Sequence, residues 1–534
     1  MKRIIFFNFI IFLALYSEDI SINAVNYMNF GVGREWGGDN KDIEIDKQYF
    51  EDRLDLDIFK GDFSAGLRFE AADPGRRNES LKGVTSLSFS YSNNGMNVYA
   101  GDVLSYFGRG VVLGLKESKA DFFDSRVRGG SVEYFSEYLS LKALGGKSYF
   151  EYINDYDPLE QTIDQFDNKV LAGELKLPLS TYMALEDYYI NIGGSYLYLE
   201  GEEAPAEQFL YKEMFIEETG IAGFSFEAEA YGLELFSEYA FKTTKRDPVQ
   251  NGWAHYMLLN YTARGFGIGF EFKDYYKYGA NPNEMASGFT PYQNAPELTI
   301  IHASHLLNTH PHVVNPNDEI GYKISAAYQL NNRTDLKAEA AFASYHKGNS
   351  ILPEFSDDHL PYKDIWISSD YTGKSYGIML GAGYFLDSPL TKDLNKDIIP
   401  GGENIAEVSS DQRNTFMAEY YVKAGKDSKI SLCGEFQTVA NSFSDEKYND
   451  IYGSVEYSYS PIGYINISLI STTEQVPQDS PDRWLGIETG FDIMDDHKLN
   501  MFYGRERAGI KCAGGTCRQV PEFDGFKMSL ISYF

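Results

Sequence analysis

Short runs in which apolar and polar residues alternate recur from one end of the 534-residue chain to the other. Leu54, Leu56 and Ile58 alternate with Arg53, Asp55 and Asp57. After Lys60-Gly61-Asp62, the residues Phe63, Ala65, Leu67 and Phe69 alternate with Ser64, Arg68 and Glu70. The same texture returns at Leu87, Phe89 and Tyr91, at Phe224, Phe226 and Ala228, at Tyr322, Ile324 and Ala326, and at Val455, Tyr457 and Tyr459. A period of two puts successive side chains on opposite faces, so each run is a strand with one apolar face. Asn- and Gly-containing turns between such runs, as at Asn93-Asn94-Gly95 and Pro461-Ile462-Gly463, predict hairpins.

The connections fall into two classes that alternate. Short turns are expected near 60–62, 93–95, 136–137, 231–232, 265, 331–333, 371–374, 425–428, 461–463 and 494–496. Long connections are expected near 36–48, 73–82, 104–126, 149–167, 201–212, 279–318, 347–360, 387–412, 439–449, 474–482 and 507–522. The faintest assignments are a strand near 361–370 and a connection near 178–188. Membrane barrels have short turns on one side and long loops on the other. The pattern therefore predicts an all-β fold, a transmembrane antiparallel up-and-down β-barrel of about 24 strands (range about 20–26), with both termini on the short-turn side.

The two ends of the chain favour the membrane over a soluble sandwich. Lys2 and Arg3 precede an apolar run, 4–16, broken by Asn8. That run is too short to span a bilayer and has the layout of a signal peptide, here 1–24, with cleavage after Ser17 or Ala24. The barrel is then expected from residue 25 to 534 as a single domain. At the other end Phe526, Met528, Leu530 and Phe534 share one face. An amphipathic strand ending on Phe resembles the last strand of a bacterial outer-membrane barrel and the signal read by the barrel-assembly machinery. No later stretch has eighteen consecutive apolar residues, and mean hydropathy is −0.35. Helical spans are excluded, and the polar strand faces are assigned to a lumen.

Composition sharpens this reading. Tyr (41), Phe (37) and Gly (49) are abundant throughout, with no linker-like boundary between domains. The net charge of −31 argues against nucleic acid as a partner. It suits either attraction of cations into an acidic lumen or the solubility of long outer loops. The expected surroundings are outer-membrane lipid and lipopolysaccharide, with a periplasmic or surface lipoprotein as a further candidate partner.

Three constellations carry candidate chemistry. Cys512 and Cys517 enclose Gly514-Gly515, a pair that lets the chain reverse tightly. In an exported protein the leading reading is a disulfide stapling the last outer loop, and a metal or redox site is the alternative. Cys433 is expected to be a lone thiol on the lumen face. His302, His305, His310 and His312 fall within eleven residues of the longest connection, 279–318, which is also the best candidate for a lumen plug. They suit a divalent metal such as Zn, Cu or Ni, or a loop folded inward with its imidazoles bonded to lumen carboxylates. Arg109, Arg126 and Arg128 follow a glycine-rich stretch, 101–115. They suit a lumen charge network that sets ion preference, or simple ion pairing that holds a loop. Gly108-Arg109-Gly110 lacks the strand–turn–helix context of a dinucleotide site. No catalytic set is visible, and no cofactor is expected.

At these motifs the chain resembles an uncharacterised family of outer-membrane β-barrel proteins of Bacteroidota-like bacteria. The resemblance rests on 101–115, 296–321 and 505–534, with Cys512, Gly514, Gly515, Cys517, Arg518 and Pro521 in family-like positions. Thr309 stands where the resemblance would place an Arg beside His310. The resemblance implies a fold and a location and brings no reaction. The expected function is a porin-like channel for small polar or cationic solutes. The alternative is a closed barrel acting as receptor or anchor for a lipoprotein or surface partner, with a barrel enzyme third.

Overall fold

The structure, a computed structural model, describes residues 20–36, 44–73, 80–118, 123–154, 162–201, 218–245, 251–279, 292–309, 312, 318–346, 350–388, 390–391, 407–408, 411–441, 446–474, 482–494, 496–513, 516–520 and 522–534. Twenty-four strands form one antiparallel sheet. The first strand, Ser21–Trp36, pairs on one side with Glu44–Lys60 and on the other with the last strand, Glu522–Tyr533. That second pairing closes the sheet on itself and leaves no edge.

The alternation read from the sequence decides which way each side chain points. In Ser428–Asn441 and its neighbour Asp411–Lys423, Phe416, Leu432 and Phe436 face outward. Arg413, Thr415, Ser431, Glu435 and Gln437 face inward and are buried. Phe224, Leu171 and Ile367 are likewise more than half exposed on the outside. Water does not tolerate so continuous an apolar exterior, and a bilayer requires it. A girdle of tyrosines rings the short-turn end, where Tyr188 and Tyr231 meet edge-on at 5.7 Å and Tyr371 and Tyr376 lie 5.6 Å apart. The protein is a transmembrane barrel, and an even-stranded single-chain barrel of this kind belongs to the bacterial outer membrane.

The strand count agrees with the expectation, with differences in detail. The faint strand is present as Tyr362–Thr372, and the faint connection carries a one-turn helix, Leu179–Tyr182. One link was missing from the predicted alternation: residues 245–251 join Leu233–Thr244 to Gly252–Ala263 and complete it. The barrel also begins earlier than residue 25. Ala24 lies inside the first strand and exchanges two backbone hydrogen bonds with Phe534, of 3.0 and 2.8 Å. Cleavage after Ala24 would remove Ser21–Ala24 from the first strand, and with them the two bonds to Phe534. The other expected position, after Ser17, lies outside the described residues. The Phe534 ring lies against His497 at the short-turn end, beside the start of the first strand.

Candidate functional site

Several inward positions break the polar rule. Val170, Leu197, Leu199, Ile221, Phe236, Ala240 and Ala254 point into the lumen and are buried. Apolar groups inside a wet barrel need a cover, and residues 104–118 provide it. This segment leaves Met96–Val103 and folds inward, so that Phe107, Val111, Val112 and Leu113 are fully buried on that wall. Wall carboxylates hold its backbone: Gly108 N donates to Glu174 Oε1 (2.8 Å) and Arg109 N to Glu238 Oε2 (2.9 Å). Lys142 Nζ donates to the Tyr106 carbonyl at 3.0 Å.

A second inserted segment, residues 292–309, docks on the first. Gly114 N donates to Tyr292 O (2.9 Å), Asn294 N to Gly110 O (3.1 Å), Tyr106 Oη to Asn294 O (2.9 Å), and Lys116 Nζ to Asn294 Oδ1 (2.9 Å). Gly110 has φ +82°, and a Cβ there would stand 2.6 Å from Asn294 O and collide with the Tyr106 hydroxyl. Only glycine fits this approach. The two insertions are therefore one body.

The second segment then crosses to the opposite wall. Its one-turn helix, His305–Asn308, is capped by Ser304. Glu435 receives three donors there: Ser304 Oγ (2.7 Å), His305 N (2.7 Å) and Leu306 N (2.9 Å). A carboxylate at exposed amides satisfies the orphan donors of a helix start. Leu306 packs with Ile470 and Trp484, and Leu307 with Trp366. A Cβ at Gly383 would come within 2.9 Å of both Leu307 and the Trp366 ring, so this wall position is small to admit the loop.

His302 and His312 meet wall carboxylates, and His305 meets an aromatic ring. His302 Nε2 lies 2.8 Å from Asp364 Oδ2, which also accepts from Tyr362 Oη (3.1 Å). His305 stacks on Tyr452 at 4.4 Å. His312 stacks on Tyr362 at 4.0 Å, with Nδ1 3.0 Å from Asp387 and Nε2 3.4 Å from Glu319, which Lys273 also pairs. These three imidazoles take three separate sets of partners, and His310 lies outside the described residues. Among the described residues there is no group of three or more His, Cys, Asp or Glu placed to hold a metal ion.

The three candidate arginines do not form one network. Arg109 lies over Phe236 and 3.4 Å from Glu234, inside the lumen. Arg126 is partly buried at the long-loop end. Arg128 corrects the expectation: it is on the outward face, with Nε 2.9 Å from Asp102. The lumen network uses other residues, Arg53 and Arg68 with Asp55 and Glu117. The alternation around Leu54 and Leu56 had already put Arg53 on the polar face. Cys433 is a free, half-buried thiol on the lumen face, with Sγ 3.9 Å from Glu435 Oε1. Cys512 and Cys517 are direct backbone partners in the hairpin Gly509–Ala513 and Thr516–Val520.

A model of a family of unknown function (DUF6029) matches residues 1–370 and 393–534. The chain belongs to that family. No curated protein matches the sequence. Among solved structures, the copper transporter OprC is 9% identical, with 97% of this chain and 81% of that one covered and a TM-score of 0.45. The siderophore receptor PirA from Pseudomonas aeruginosa is 7% identical, with 97% and 80% covered and a TM-score of 0.42. OccK11 (OpdR) from Pseudomonas aeruginosa is 11% identical, with 76% and 96% covered and a TM-score of 0.36.

Two outcomes follow for this DUF6029 protein. Glu435→Ala leaves one hydroxyl and two amides without an acceptor. At about 1–3 kcal/mol per buried orphan, residues 302–308 should open at least about tenfold more often. Hydrogen exchange there should quicken while the strand Ser428–Asn441 stays protected. The second concerns pH. Burial disfavours a charged His312, but Asp387 and Glu319 outweigh it and push its pKa up to about 10. An undocked histidine titrates near about 6.5. The docking free energy from this charge is complete below about 6.5, declines above it, and is lost as the pH rises through about 10. Chymotryptic cleavage at Leu306 and Leu307 should increase across that range, and His312→Gln should remove the trend.

Proposed function

We propose that the protein is a porin-like channel for small polar solutes, with a preference for cations. One observation carries this: the lumen is covered unevenly. The inserted body docks on the wall from Val127–Phe135 round to Arg483–Ile493. The remaining wall is built from Glu522–Tyr533, Ser21–Trp36, Glu44–Lys60, Phe63–Ala72 and Leu81–Asn93. Many of its inward positions are small or hydrophilic, among them Gly31, Ser64, Gly66, Ser86, Ser88 and Ser529, while Tyr49 and Phe523 are buried on the same face towards the long-loop end. Barrels of about 16–18 strands already enclose an aqueous channel, and the inserted body narrows a wider one. The acidic balance of the chain favours cations over anions.

The second reading is a closed barrel that serves as receptor or anchor for a lipoprotein or surface partner. It is favoured by the dry packing of Phe107 and Val111 to Leu113, which suits a permanent plug. In planar bilayers the channel reading expects discrete conductance steps, larger when residues 292–309 are replaced by a short Gly-Ser link. A folded protein that conducts nothing in either form removes it, and a stoichiometric lipoprotein on purification would then favour the second.

We further propose that Cys512 and Cys517 are disulfide-linked in the envelope. Antiparallel partners have Cα atoms about 4.5–5.5 Å apart, within the reach of a disulfide. Peptide mapping without reductant should recover the two cysteines in one linked fragment. Two free thiols in protein isolated from the envelope would refute the bond.

A further inference from the structure

The wall left uncovered by the inserted body still meets it at a charged bridge. Glu117, at the far end of the first inserted segment, reaches across to two arginines of that wall. Its Oε1 lies 2.5 Å from Arg68 Nη1 and 3.6 Å from Arg53 Nη1. Asp55 ties the pair from the wall side, with Oδ1 2.6 Å from Arg68 Nε and Oδ2 2.8 Å from Arg53 Nη2. Resting on the channel reading above, we propose that this bridge is the charge-selecting constriction of the pore, with Glu117 as its cation-favouring member and Arg53 and Arg68 as its anion-favouring members.

Four features argue for it. The bridge is where the inserted body and the free wall come together, so a solute passing along that wall passes beside it. Its side chains are partly exposed to the lumen, from 10% for Glu117 to 23% for Arg53, and are thus neither sealed off nor freely solvated. Charges in such a place act through a poorly screened path. The geometry is also held from both sides. Glu117 pairs through its backbone with Asp124, while Asp55 and Arg68 are direct partners on adjacent strands. Finally, the pairing of Phe63–Ala72 with Leu81–Asn93 shifts by one residue between Arg68 and Phe69. A bulge re-aims the side chain beside it and tightens the local twist.

The charge balance gives the sign of each effect. Asp57 follows Asp55 on the same face, and Glu70 is the direct partner of Arg53, so two guanidinium groups stand among four carboxylates. The net negative balance favours cations. Removing Glu117 lowers that excess, and removing either arginine adds to it. Below the bridge, Ser86, Ser88 and Ser90 give the route a hydroxylated wall without further charge. Solutes suited to it are small cations and zwitterions whose charged groups exchange with the bridge.

The test is the potassium-to-chloride permeability ratio, read from reversal potentials across a KCl gradient in planar bilayers. Glu117→Gln should lower the ratio by about threefold, and Arg68→Gln should raise it by a similar factor. Lys429→Gln, on the covered wall, should leave it unchanged. The route is tested separately in a Cys433→Ser background. A cationic methanethiosulfonate should block current through Ser88→Cys and leave Ala240→Cys, buried beneath the inserted body, unaffected. Folding of each variant is checked by heat-modifiable migration. If Glu117→Gln or Arg68→Gln does not fold, Glu117→Asp, Arg68→Lys and the cysteine pair decide. Conductance with an unaltered ratio, or block through Ala240→Cys instead of Ser88→Cys, overturns the constriction and leaves the channel reading standing. No conductance in the intact protein removes both.

Discussion

Closure of the sheet between Ser21–Trp36 and Glu522–Tyr533 is the constraint on which the rest depends. Hydrocarbon offers no partner for a free backbone amide, so a strand-built membrane protein must leave no edge. Twelve paired positions from Val25 to Trp36 meet that demand. Closing 24 strands, however, creates a lumen too wide for wall side chains to fill. The exterior is solved by alternation, and the interior then becomes a second packing problem.

The chain solves that problem with two loops and two kinds of contact. On one side the wall turns apolar where the loop is apolar: Leu197 and Leu199 beneath Val111 to Leu113 form a dry core inside the barrel. On the other side apolar contacts of Ile300, Leu306 and Leu307 are joined by polar ones, with Glu435 beneath the start of a helical turn and Asp364 beneath His302. The division has a physical reason. An apolar face fixes where a loop rests but not its direction, since the hydrophobic effect is non-directional. Carboxylates that accept from named amides fix the direction. Glu174 and Glu238 do this for the first segment and Glu435 does it for the second.

Much of the barrel was legible because its signal is local. Period two is written in neighbouring residues, and turn chemistry marks the hairpins. The inward course of residues 292–309 was legible from the length of the connection that holds them and from its histidines. The plug role of 104–118 was not, because it depends on which residues face it from distant strands. The clue lay elsewhere, in Tyr196-Leu197-Tyr198-Leu199, where apolar residues occupy both faces of one strand. The face of Arg128 was hidden for a different reason: Gly129 and Gly130 follow it and carry no side chain to mark the alternation. The link 245–251 was missed because Pro248 is its one strong breaker and the strands on either side continue the same texture.

The arginines illustrate what alternation can and cannot deliver. It placed Arg53 and Arg68 on the polar face as firmly as it placed Leu54 and Leu67 on the apolar one. It could not say that Glu117, on a loop, would be their partner, because a loop has no period. A carboxylate on an inserted segment is brought to a wall by the anchors on either side of it. Here those are the Lys116–Asn294 contact on one side and the Ser125 hydroxyl, which accepts from Lys116 N at 2.9 Å, on the other. The position of Glu117 is thus set by the docking of both inserted segments on the opposite wall. Any change that loosens the Asn294 junction therefore also loosens the bridge to Arg68, because Lys116 and Glu117 are neighbours in the chain. In this barrel the packing that fills the interior and the charge that lines the free wall are parts of one mechanical unit.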